Sequence, residues 1–93
     1  MFNNSFLKKL NILFIESNTE DREHFSNILY KFFNNVVVCS NGKEGIDSFL
    51  EKRQEYFVDI IICDKTLEDI TGIEFLKKIR EIDSEIPFII TSP

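Results

Sequence analysis

The sequence predicts an α/β fold with a doubly wound parallel sheet, and three observations carry that prediction. Short apolar runs alternate with segments of helical spacing along the whole chain. The run at 58–63, VDIIIC, is apolar on both faces, as a central strand covered by helices on each side requires. Polar residues follow three of the four runs, at what becomes the carboxyl edge of a parallel sheet.

The first run, residues 10–15, is apolar except for Asn11 and predicts a strand. Residues 19–33 then place Phe25, Ile28, Leu29, Phe32 and Phe33 at i, i+3, i+4, i+7 and i+8. That is the stripe of an amphipathic helix, and its Phe-rich face is expected in the core. Asn18 or Thr19 can cap it, and Glu20, Asp21 and Glu23 put negative charge at its positive end. Asn34 and Asn35 make a stop, because Asn tolerates the left-handed conformation. Residues 36–39, VVVC, are a short β-branched strand.

Ser40, Asn41 and Gly42 form a turn, and 43–54 returns to helical spacing through Ile46, Phe49 and Leu50. After the central strand, 64–71 reads as a polar loop. Gly72 opens a helix over 73–82, with Ile73, Leu76, Ile79 and Ile82 on the expected core face. Residues 87–91 are the fourth strand, with Pro87 at its start, where a missing N–H does no harm. Such an order implies right-handed βαβ crossovers.

Composition excludes several classes. An apolar share of 43% supports a packed core rather than disorder, and 93 residues hold one domain, read as 1–93. A net charge of −5 repels phosphate backbones and anionic lipid, so no nucleic acid and no membrane surface is expected as a partner. The apolar run at 10–15 is too short to span a bilayer. Cys39 and Cys63 have no CxxC spacing and each ends an apolar run. They are expected to be reduced and buried, which places the protein in the cytoplasm. His24, the single histidine, is expected at the surface away from the strand ends, which leaves a Ser–His–Asp hydrolase a distant third reading.

Chemistry in open α/β sheets gathers at the carboxyl ends of strands, where Glu16-Ser17-Asn18, Asp64-Lys65-Thr66 and Thr91-Ser92 fall. If the first and third strands are neighbours, Glu16 and Asp64 face one crevice. Two close carboxylates call for a cation between them, most naturally Mg²⁺ with oxygen ligands.

These segments resemble the receiver domain of two-component response regulators. The likeness rests on 58–64 with Gly72 eight residues after Asp64 and the 74–80 stretch EFLKKIR, on NILFI before an acid, on SNGKEG entering a helix, and on IPFIITS. It covers 8–93 and implies a flavodoxin-like receiver fold. It further implies Asp64 as phosphoacceptor from a histidine kinase or phosphotransfer protein, with Mg²⁺ held by Glu16, Asp64 and the Thr66 backbone carbonyl. Ser92 takes the position of the switch hydroxyl, and Thr91 stands where the family strand carries an apolar side chain. The activity implied is phosphoacceptance, with at most self-catalysed phosphotransfer and dephosphorylation, and output through a downstream protein target.

The chain departs from the family pattern at three places. Ser17 stands where a second acid usually ligates the metal, which makes it a weak or absent ligand. Glu68 stands where proline is common. The chain ends at Pro93, so about four strands and three helices are expected, without the last helix, strand and helix and the usual lysine. The fourth strand then becomes an edge, and one of two things is expected: the remainder of the chain is removed or disordered, or a homodimer covers the gap by pairing or exchanging elements. An alternative reading is a degenerate or truncated receiver acting as a phosphorylation-independent interaction or dimerisation module.

Overall fold

The computed structural model describes residues 5–92. After a 3₁₀ turn at Leu7–Lys9 come β1 (Ile12–Ile15), α1 (Thr19–Phe32), β2 (Val36–Cys39), α2 (Gly42–Lys52), β3 (Ile60–Asp64), α3 (Gly72–Ile82) and β4 (Phe88–Thr91). The four strands form one parallel sheet in the order β2-β1-β3-β4. The chain steps from β1 outward to β2, then returns past β1 to β3. The strand order therefore reverses between β1 and β3, which is the switch point where such sheets hold their ligands.

Helix starts follow the capping residues. Asn18 accepts the Asp21 N–H at 2.9 Å, Asn41 accepts that of Glu44 at 2.8 Å, and Thr71 accepts that of Glu74 at 3.1 Å. The stop after α1 differs from the expectation. No described non-Gly residue has positive φ, and Phe33, Asn34 and Asn35 do not turn left-handed. Instead the side-chain amides of Asn34 and Asn35 donate to the buried Asn11 Oδ1 at 3.0 and 2.9 Å. Asn11 Nδ2 in turn donates to Phe57 O at 2.8 Å, so this buried polar residue just before β1 has partners for both its amide oxygen and its nitrogen.

The core lies on the face covered by α2 and α3. Leu13, Ile15, Ile61 and Cys63 of the sheet pack there with Phe49, Phe75 and Ile79. Two expected core positions are exposed. Ile73 is 52% and Leu50 42% exposed, because the buried stripes run through Gly72, Phe75 and Ile79 on α3 and through Gly42, Gly45 and Phe49 on α2. The loop after β3 is not wholly polar either, since Leu67 is buried at 5%.

The other face carries α1 alone among the described residues, so the Phe-rich stripe of α1 is not core. Phe25 is 48% and Ile28 39% exposed, while Leu29, Phe32 and Phe33 are half-buried; only Ser26 of α1 is fully buried. β4 stands at the sheet edge with Ile89 49% exposed. Cys39 and Cys63 are free and buried, and His24 is exposed with its ring against Phe25. No described helix is long and apolar enough to cross a membrane.

Candidate functional site

Parallel register fixes the site. Ile15 pairs with Cys63, so Glu16 and Asp64 emerge side by side from the carboxyl ends of the two central strands. Asp64 pairs with Thr91 on its other side. Glu16 and Asp64 are 6% and 8% exposed, unusual burial for two acids without a basic partner. They line a cavity of about 270 Å³ with Asp21, Thr91 and Ser92 at the polar end and Phe14, Phe25 and Ile62 behind. Of the sequence-predicted site residues, Glu16, Asp64 and Ser92 thus share one cavity, and Ser92 is at its exposed rim.

Burial pushes the Glu16 carboxyl above its ordinary value; the nearby Asp64 and Asp21 add to this, and the Asn18 N–H at 3.1 Å opposes it. Asp64 Oδ2 accepts the N–H of Thr66 at 3.3 Å, which ties the acid to the first turn of its own loop. A bridge between Thr66 and Thr71 closes that loop, with Gly72 donating to Lys65 O at 2.8 Å. Lys65 itself is exposed, and its N–H holds Thr91 O at 2.8 Å.

Ser17 takes a different part from its neighbours. Its hydroxyl donates to Ser40 O at 2.6 Å and accepts the Glu68 N–H at 2.9 Å. One side chain therefore joins all three loops at the carboxyl edge. Two further residues at this edge had escaped the sequence reading. Arg22 Nη1 donates to the carbonyls of Glu16 and Ser17 at 2.9 and 3.1 Å. Asp69 accepts the N–H groups of Gly42 and Lys43 at 2.8 and 3.0 Å. Burial raises the Asp69 carboxyl, but the donated N–H groups outweigh it and hold it below its usual range. Asp21 was legible from spacing, since it shares the helical face of Phe25 and Ile28 at i, i+4 and i+7.

The donor chemistry suits a small hard cation. Two buried carboxylates are oxygen donors of the kind Mg²⁺ takes, while Thr66 is exposed on its loop and does not line the cavity. No described cluster gathers three or more His, Cys, Asp or Glu side chains for a metal, and of the acids lining the cavity only Glu16 and Asp64 are buried.

Comparison with known proteins places this geometry. The profile of the response regulator receiver domain matches residues 12–93. The sensory transduction protein LytT of Oceanobacillus iheyensis is 33% identical over 86 residues, covering 90% of this chain and 34% of that protein. The chain spans only 11% to 34% of the curated relatives it matches. A response regulator receiver domain protein from Clostridium thermocellum superposes with a TM-score of 0.81 at 24% identity, over 89% of this chain and 64% of that one. The CheX–CheY–beryllofluoride–Mg²⁺ complex from Borrelia burgdorferi gives 0.80 at 22%, over 98% and 67%. At these identities the two structures speak for the fold, the flavodoxin-like sheet of CheY-type receivers, while the profile match speaks for descent. With the carboxylate pair at the switch point and the match running the length of the sheet, this chain belongs to the response regulator receiver domain family of two-component signalling.

Proposed function

We propose that this receiver takes a phosphoryl group onto Asp64 from a phosphohistidine of a kinase or phosphotransfer protein. The observation that carries the reading is the placement of Asp64: buried at 8%, beside Glu16 at the strand-order reversal, and lining a cavity open to solvent. Such a carboxylate is held in one orientation by its loop, with the cavity as the approach for a phosphoryl donor.

In the reaction an Asp64 carboxylate oxygen forms the new O–P bond as the donor's P–N bond breaks, and the electron pair leaves on the imidazole nitrogen. Mg²⁺, when bound, neutralises the phosphoryl oxygens so that an anion can approach two acids. Glu16, Asp64 and the Thr66 carbonyl would hold it, with Ser17 a weak or absent ligand. The Ser92 hydroxyl, at the rim of the same cavity, donates to a phosphoryl oxygen and carries the change to the β4 edge. Hydrolysis of the acyl phosphate by water, promoted by the same groups, returns the resting state.

We read residues 1–93 as one receiver unit that works in the cytoplasm, where its free buried cysteines stay reduced. Its partners are the phosphodonor, a downstream protein target, and a second copy over the β4 edge. The acidic surface argues against nucleic acid. A second reading is a phosphorylation-independent interaction module; the engagement of the Ser17 hydroxyl with Ser40 and Glu68 favours it.

Incubation with acetyl phosphate and Mg²⁺ tests the proposal by mass spectrometry. Gain of one phosphoryl group, lost in Asp64→Asn, is expected. An unmodified protein, or equal gain in the variant, contradicts it and leaves the second reading.

A further inference from the structure

The carboxyl edge holds one hydroxyl, Ser17, at the meeting of three loops. The Ser17 proton goes to Ser40 O in the β2–α2 turn at 2.6 Å, and one lone pair receives the Glu68 N–H of the β3–α3 loop at 2.9 Å. The same loop is tied to the start of α2 at two successive residues. Asn41 Nδ2 donates to Glu68 Oε1 at 3.1 Å, and Asp69 takes the N–H groups of Gly42 and Lys43. From the inside, Thr66 N–H holds Asp64 Oδ2. Hydrogen bonds to Ser17, to the start of α2 and to Asp64 therefore fix the position of the 65–71 loop.

Resting on the receiver reading above, we propose that Ser17 is a positioning residue and not a metal ligand. It presets the 65–71 loop beside Asp64. A hydroxyl has one proton and two lone pairs. The proton and one lone pair are taken by Ser40 and Glu68, and Ser17 is not among the residues lining the Glu16–Asp64 cavity. Glu68 completes the arrangement because it supplies the N–H. Proline at that position has none, so the two departures from the family pattern, Ser17 and Glu68, satisfy one another.

The test compares wild type with Ser17→Ala, Ser17→Thr and Asp64→Asn. Amide exchange of Glu68 is measured in metal-free buffer, and Mg²⁺ is titrated by the amide shifts of 15–18 and 64–67. In Ser17→Ala, Glu68 exchange should rise about tenfold, the equivalent of one net hydrogen bond, while Mg²⁺ affinity stays within about twofold. Ser17→Thr, which keeps the hydroxyl, should restore protection. With acetyl phosphate the Ser17→Ala maximal rate falls, and its half-saturating Mg²⁺ does not move. A Mg²⁺ affinity loss of about tenfold in Ser17→Ala makes Ser17 a ligand and overturns the proposal. So does unchanged Glu68 exchange. Asp64→Asn separates the two readings: it removes phosphorylation but leaves Glu68 exchange protected. Should wild type itself take no phosphoryl group, the receiver chemistry fails while the exchange and Mg²⁺ arms still decide the role of Ser17.

Discussion

A Cβ placed on Gly72 would stand 2.7 Å from the backbone carbonyl oxygen of Asp64 and 3.2 Å from the Lys65 Cα. The carboxylate and the helix that follows it are thus packed through a position with no room for a side chain. Gly72 is needed for this approach and not for an unusual φ, because no described glycine has a positive one.

Gly72→Ala should therefore cost more than Gly42→Ala. The former meets backbone, which cannot give way locally, and overpacking of this kind costs about 1–3 kcal/mol. The latter meets the end of the half-buried Ile70 side chain, which can turn aside. Urea unfolding of both variants checks the order; equal midpoints would contradict it.

Glu16→Gln should raise the melting temperature of the metal-free protein. Glu16 has its folded pKa above the unfolded value, chiefly through burial, so the folded state binds more protons and loses stability as pH rises through that range. Ionised Glu16 is then a cost at neutral pH, and Gln removes it while keeping an oxygen for the Asn18 N–H. A gain of a few degrees is expected, about what 0.5–1 kcal/mol gives a domain of this size. Added Mg²⁺ should stabilise wild type and have a smaller effect on the variant. A lower melting temperature for Glu16→Gln without metal would count against this.

Asp69→Ala should lose about 0.5–2 kcal/mol, since the carboxylate caps α2 as well as anchoring its loop. Its lowered folded pKa gives the opposite pH dependence to Glu16. The stability it contributes is present above the unfolded pKa and disappears as pH falls through the folded one. The difference between wild type and variant should therefore shrink in acid; a constant difference from pH 7 to pH 3 would refute the capping role.

For the 93-residue chain, the face that no described element covers makes a prediction about association. Phe25, Ile28 and Ile89 are each more than a third exposed on α1 and the edge strand. Sedimentation at micromolar concentration should show a second copy over this face. A monomer across the range would leave those side chains in water and contradict the homodimer.

Much of the sheet was legible because strand and helix differ in period. The unbroken apolar run before Asp64 named β3 as central, and register alone then brought Glu16 beside Asp64. Burial was less legible. Ile73 and Leu50 sit one position off the buried stripes, and apolar identity does not tell which of two adjacent faces a helix presents. Phe25 and Ile28 carry a core pattern that no described element covers. The role of Ser17 was hidden for another reason: its partners, Ser40 O and Glu68 N–H, are backbone groups from distant loops, and backbone groups leave no mark in a sequence.

The central claim is that Asp64 and its neighbours form a working acceptor site. Binding of beryllofluoride, a phosphoryl mimic, at millimolar Mg²⁺ followed by amide NMR tests it most directly. Shifts centred on Asp64, Thr66 and Ser92, absent in Asp64→Asn, are the predicted result. An unchanged spectrum at saturating beryllofluoride and Mg²⁺ would contradict it and leave a receiver fold that works through contacts alone.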